Sequence, residues 1–210
     1  MQAPVAALIR FDLLFETISG LIALLIAYYA TKAYNLTEQK KLSDLSTGFL
    51  VLSAGLLGHV IGTWYFFVRL GIEGEVIPQL RTTISIVTIA YHFLRIMAYA
   101  LFVISTRRTR RASQPGVVML MALPVLIDPN LELITIMVIL IVVLQAALNY
   151  ATVRSRYALY VLMGFFLIFL SHVFLITAGE NMGRYLLSQL LQLLGFIAFL
   201  VMLYKVGKIE

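Results

Sequence analysis

The residues best suited to chemistry lie in the apolar stretch "TIAYHFLRIMAYALFVI" at positions 88–104 and just before it. The polar residues there recur at spacings of three and four positions, and they are Ser85, Thr88, His92, Arg95 and Tyr99. This spacing places them on one face of a helix. In a membrane, such a face turns toward other helices or a wet cavity. Imidazole takes up protons and guanidinium holds anions, so the face predicts a site for protons or an anionic ligand.

Four other apolar segments contain polar residues that could complete this site. They are Asp12 and Glu16 in the first predicted helix, His59 in the second, His172 in the sixth, and Gln189 and Gln192 in the seventh. At about 1.5 Å per residue, Glu16, His59 and His92 lie about 15 Å from the outer helix ends, and His172 about 10 Å. The sequence therefore predicts that all these groups converge in the outer half of the membrane.

A buried arginine needs a counter-ion, because a charge at membrane depth costs about 2.5–3.5 kcal/mol or more. Asp12 and Glu16 are the only acids inside the predicted helices and away from their ends. We therefore expect Glu16 or Asp12 to pair with Arg95. A purely structural salt bridge, with histidines satisfied by hydrogen bonds, explains the same residues. Gln145 and Asn149 form a weaker second candidate that helix–helix hydrogen bonding accounts for.

The composition is that of a chain embedded in lipid. Hydrophobic residues make up 61% of the 210 positions and charged residues 12%, about half of the share typical of soluble domains. With no cysteine, the chain has no disulfide, thiolate metal site or cysteine nucleophile. The net charge of +6 sits in short loops, which indicates membrane topology rather than nucleic-acid binding. The sequence predicts one all-α, polytopic transmembrane domain over 1–210.

Seven transmembrane helices are predicted from apolar runs of roughly 20 residues. Their ranges are 6–33, 44–70, 82–106, 115–128, 131–152, 156–178 and 185–206. The fourth, "PGVVMLMALPVLID", is short and contains two prolines, so a re-entrant segment is its alternative.

The charges of the loops predict the orientation. The basic clusters are Lys32, Lys40 and Lys41, then Arg107 to Arg111, then Arg154 and Arg156, then Lys205 and Lys208. They fall on one side only if the fourth segment crosses the membrane. Because cytoplasmic loops are rich in Lys and Arg, we expect the N-terminus outside, the C-terminus inside, and a location in the plasma membrane.

The sequence also indicates an internal repeat. Tyr-Ala-Thr precedes a basic turn twice, at 29–31 and at 150–152, and Gly-Phe opens both the second and the sixth helix, at 48–49 and 164–165. Aligning Tyr99 with Phe196 places His92 on Gln189 and Arg95 on Gln192. These matches predict two parallel three-helix repeats, about 6–106 and 131–206, joined by a linker helix at 115–128, an arrangement known in transporters.

Seven helices with an external N-terminus resemble the microbial rhodopsins in topology. Residues 185–204 contain no lysine, however, so the retinal attachment of that family is not implied. The three-one-three order is also similar to small sugar permeases, but Pro78-Gln79 lies in a loop rather than in a helix. The residue pattern of "GLIALLIAYYATKAYNL" and "FFLIFLSHVFL" resembles that of uncharacterised multi-spanning membrane proteins of archaea. The amino-acid composition is typical of a thermophile.

Four functions remain open from the sequence. The first is a receptor, sensor or small transporter that responds to protons or a small ligand and needs no cofactor. The second is electron transfer through b-type haem held by His59 and His92. The third is a zinc hydrolase using His59, His92, His172 and Glu16, although no established zinc motif occurs and an enzyme is the weaker reading. The fourth is a structural subunit of a membrane complex or homo-oligomer.

Overall fold

The computed structural model describes residues 3–74, 76–106, 131–178 and 181–206, with backbone alone for 3–10 and 12. These residues form six α-helices: α1 (Ala3–Thr37), α2 (Lys40–Glu73), α3 (Pro78–Thr106), α4 (Leu131–Val153), α5 (Arg156–Ile176) and α6 (Met182–Val206). Each is long and apolar enough to cross a membrane. The prediction of an all-α, multi-spanning membrane bundle is confirmed at this level. The predicted helix at 115–128 lies outside the described residues.

The helices of the first half extend beyond the predicted apolar runs. At 34 residues, α2 is about 51 Å long, whereas the hydrocarbon layer is about 30 Å thick. The predicted bounds stopped where the apolar run stopped, but the backbone stays helical through polar residues such as Lys40 and Lys41. Hydropathy therefore located the six described spans and underestimated the lengths of their helices.

The six helices form a closed ring. Each helix packs against its neighbours in chain order, and α1 also packs against α6. Arg95 of α3 contacts Glu132 of α4, and Thr106 of α3 donates a 2.6 Å hydrogen bond to Gln145 of α4. Because both contact positions increase together along the two helices, α3 and α4 run in the same direction. With these directions, Lys40, Lys41, Arg154, Arg156 and Lys205 all lie at the same end of the bundle. This end is here called the basic end.

Four phenylalanines form a closed ring at the centre of the bundle. Their centroid distances are 4.7 Å for Phe49–Phe102, 5.3 Å for Phe102–Phe165, 4.6 Å for Phe165–Phe199 and 5.1 Å for Phe199–Phe49. All four side chains are fully buried. The predicted repeat aligns Phe49 with Phe165 and Phe102 with Phe199. Under this alignment, the Phe49–Phe102 contact of the first half corresponds to the Phe165–Phe199 contact of the second.

The basic turns repeat the same backbone geometry. Glu38 between α1 and α2 has φ 52°, and Arg154 between α4 and α5 has φ 50°. Glu38 donates its N–H to the carbonyl of Tyr34, and Arg154 donates its N–H to that of Tyr150. These turns match Tyr34 with Tyr150, five residues away from the Tyr29 that the sequence alignment chose. The internal repeat stays a prediction, and the matched turns and aromatic contacts support it with this corrected register.

Two glycines leave the space in which the four phenylalanine side chains pack against each other. A Cβ on Gly48 would lie 2.4 Å from the ring of Phe102, and a Cβ on Gly164 would lie 2.5 Å from the ring of Phe199. Because helices approach closely at small residues, these two positions set the separation of α2 from α3 and of α5 from α6.

We predict that Gly48→Ala and Gly164→Ala each destabilise the fold by about 1–3 kcal/mol, because an overpacked core must shift. Gly58→Ala on α2 is the matched control, since a Cβ there meets nothing within 4 Å. Its effect should be neutral or slightly stabilising, because alanine favours a helix over glycine by about 0.5–1 kcal/mol. Thermal unfolding in detergent measures all three. Equal melting temperatures for the Gly48 and Gly58 variants would contradict the packing described here.

Candidate functional site

The polar face of α3 turns inward only over its middle part. Arg95 is 3% exposed and Tyr99 1%, and His92 is half-buried, whereas Ser85 is exposed. The face also includes Tyr91, which is 9% exposed and lies one turn before Arg95. Sequence analysis left Tyr91 out because a tyrosine in an apolar helix looks like an ordinary core residue.

Glu132 is the centre of the largest polar cluster. One carboxylate oxygen accepts from the guanidinium of Arg95, and the other accepts from Nδ1 of His172 at 2.6 Å. Since Nδ1 of His172 donates, its Nε2 accepts the 2.7 Å hydrogen bond from the Tyr99 hydroxyl. His92 accepts from Arg95 through Nδ1 at 3.0 Å. This arrangement holds one positive charge, one negative charge and two neutral histidines.

The predicted pairing of Arg95 with Glu16 is therefore wrong, because Glu132 is the partner. Sequence analysis did not consider Glu132 as the partner, because it lies at the very start of the predicted helix 131–152, directly after Pro129-Asn130. In the structure it occupies the first turn of α4, at the level of Arg95. A carboxylate is favourable in a first turn, because the unpaired N–H groups of a helix carry partial positive charge there.

Glu16 has a different partner, His59 of α2. Nδ1 of His59 donates to the Glu16 carboxylate at 2.8 Å, with side-chain exposures of 17% and 7%. Within the described residues, this carboxylate forms no ion pair with lysine or arginine. The corrected repeat register, an offset of 116 residues, places Glu16 on Glu132. The two halves thus each contain a glutamate paired with a histidine of the next helix.

Tyr91 joins the two acid–histidine pairs. Its ring stacks on His59 at a centroid distance of 4.6 Å, and its hydroxyl accepts from Nη1 of Arg95 at 3.2 Å. The structure therefore connects Glu16, His59, His92, Arg95 and His172 through hydrogen bonds and through the Tyr91 ring. Among described atoms, Nε of Arg95 is a buried donor without an acceptor. Leaving such a donor unpaired costs about 1–3 kcal/mol, so the site favours an added polar group there.

The remaining candidates are not all part of this network. Gln189 is buried and donates to the Tyr185 hydroxyl on its own helix at 3.0 Å. Gln192 is half-buried, and no described side chain shares a hydrogen bond with it. The side chain of Asp12 lies outside the described residues. Gln145 accepts from Thr106 between α4 and α3, which is the helix–helix role expected of it.

The arrangement does not fit haem or zinc at the three histidines. Tyr91 covers one face of His59 and lies between it and His92, where a porphyrin would have to stand. Both ring nitrogens of His172 already form hydrogen bonds. Over the described part of the chain, no three His, Asp or Glu side chains are grouped as metal ligands would be. The geometry is that of a network of ion pairs and hydrogen bonds.

Comparisons with known proteins add no assignment. No family model matches the chain, and no match was found among curated proteins or among solved structures. The resemblance to archaeal membrane proteins therefore stays a prediction, and the functional argument rests on the network itself.

We predict that Glu132→Gln destabilises the protein by about 3–5 kcal/mol, because it leaves the buried charge of Arg95 without its counter-ion. Adding Arg95→Met should restore part of that loss, since removing both charges of a buried pair is much less costly. The control is Glu73→Gln, which breaks the exposed pair with Arg69 and should cost at most about 1 kcal/mol. Thermal or denaturant unfolding compares them. A similar loss for Glu132→Gln and Glu73→Gln would refute the assignment.

Proposed function

We propose that this chain is a proton-responsive receptor or transporter-like membrane protein, in which Glu16 and His59 form the protonation site. The single observation that carries the proposal is the buried Glu16–His59 hydrogen bond without a lysine or arginine partner in the described residues. Histidine is a common proton acceptor in proteins that respond to pH, so an acid–histidine pair of this kind suits a proton signal. The free Nε of Arg95 nearby supports a small polar or anionic ligand as a second signal.

The two acid–histidine pairs would have different roles. Glu132 pairs with Arg95, which is a permanent cation. In this proposal the pair has a structural role and holds α3 against α4. Among the described residues, Glu16 has His59 as its only ion-pair partner. Protonation of this pair adds a positive charge beside Tyr91 and Arg95, at a depth where water screens it poorly. A conformation that lets water reach the pair is then favoured, and this is the response we propose.

The seven-helix topology belongs to the same proposal. Because α3 and α4 run in the same direction, a chain that leaves α3 at one membrane face has to reach the other face before α4 begins. This supports the predicted crossing at 115–128, with the N-terminus outside and the basic end in the cytoplasm. The protonation site then lies in the outer half of the plasma membrane, where it is positioned to respond to external pH.

The test uses the absence of native cysteine. Spin labels on Ile72→Cys of α2 and Ile176→Cys of α5, which are exposed at the ends opposite the basic end, report the separation of the two halves. We predict that the distance distribution changes between about pH 8 and pH 5. His59→Gln and Glu16→Gln should each abolish that change.

The matched control is His92→Gln. His92 accepts from Arg95 and contacts no carboxylate in the described residues, so its variant should keep the pH response. An unchanged distance in the native chain across this pH range would contradict a proton-responsive conformation. A response retained in both the His59 and the Glu16 variants would place the protonation site elsewhere.

A further inference from the structure

A cavity of about 470 Å³ opens at the basic end, separated from the Glu16–His59 pair by the phenylalanine ring. Every described helix lines it, through Thr37, Lys41, Thr106, Asn149, Tyr157 and Val206 from α1 to α6. Its volume lies within the range of about 300–1,000 Å³ that small-molecule sites occupy.

The cavity has an apolar floor and a polar mouth. Leu45, Phe165 and Met202 are buried lining residues, and Phe165 is also one of the four central phenylalanines. Lys41 and Asn149 lie exposed at its mouth. Neither side chain forms a hydrogen bond with another described side chain, so both are available to a ligand. This distribution suits a molecule with an apolar body and a polar end.

One charged side chain lines the mouth, Lys41, and it favours an anion. The helices α2 and α5 begin at this end and the other four described helices end there, so the preference rests on Lys41 rather than on helix dipoles. The acids described at this end, Glu38 and Asp44, do not line the cavity, whereas Lys41 does.

We propose that this cavity binds an organic anion with its apolar body against Phe165 and its carboxylate or phosphate at Lys41 and Asn149. The proposal is independent of the protonation site, because it rests on the opposite side of the phenylalanine ring. The shared chemistry is an anionic head on an apolar body. A free carboxylate from the cytoplasm and a lipid with a phosphate head both satisfy it.

Calorimetric titration of the full chain in detergent tests the site with 1-naphthaleneacetate. The uncharged control is 1-naphthaleneacetamide, which has the same ring system. We expect the acid to bind and the amide to bind at least about fivefold more weakly, because only the acid carries the charge that Lys41 attracts. Dihexanoylphosphatidate is titrated in parallel. Competition between it and the acid would indicate a lipid ligand, whereas binding of the acid alone would indicate a free carboxylate.

Variants locate the binding. Lys41→Gln should weaken binding of the acid about three- to tenfold, whereas Lys40→Gln, at a neighbouring lysine that does not line the cavity, should leave it unchanged. Ala146→Phe should abolish binding by filling the cavity, since Ala146 lines it and is 2% exposed. Asn149→Asp at the exposed mouth provides the same loss by charge repulsion if the Ala146 variant does not fold.

Three results would overturn the proposal. One is no binding of either the acid or the phosphatidate, and another is equal binding of acid and amide. The third is binding of the acid that is insensitive to both Lys41→Gln and Asn149→Asp, which would place it on the detergent-covered surface instead.

Discussion

The constraint on which this structure depends is the positive charge of Arg95 inside an apolar bundle. A guanidinium at this depth cannot lose its proton and has almost no contact with water, so the fold must supply its counter-ion. Glu132 can do so only because α4 begins at the level of Arg95 and runs in the same direction as α3. The pair therefore fixes how the second three helices meet the first three. His172 and Tyr99 complete the hydrogen bonds, and they extend the same contact to α5.

The two glutamates of the polar network differ in their partners. Each bonds a histidine of the following helix, Glu16 to His59 and Glu132 to His172. Glu132 also pairs with Arg95, which carries a permanent positive charge. Within the described residues, Glu16 pairs with no lysine or arginine. If the predicted repeat aligns Glu16 with Glu132, its two halves hold the same acid in different electrostatic surroundings.

The six described spans and the inward face of α3 could be predicted from the sequence, because both follow from local patterns. Hydropathy shows each span, and the three-and-four spacing on α3 shows which face turns inward. Sequence reasoning missed the partner of Arg95, since choosing between Glu16 and Glu132 requires the relative heights of α1, α3 and α4. It missed Tyr91 for a different reason, because its stacking on His59 depends on the distance between α2 and α3. The cavity could not be predicted from the sequence either, because residues of six separate helices line it.

The phenylalanine ring gives a physical route by which the two sides of the membrane could influence each other. Phe102 lies on α3 one turn after Tyr99, which bonds His172, and Phe165 forms part of the cavity floor. All four rings are fully buried and in contact, so a change in the angle between the halves cannot be absorbed by one ring alone. Gly48 and Gly164 leave no room for α2 and α5 to approach the rings more closely. A rotation of one half against the other would therefore displace the four phenylalanines together and change the shape of the cavity that Phe165 lines.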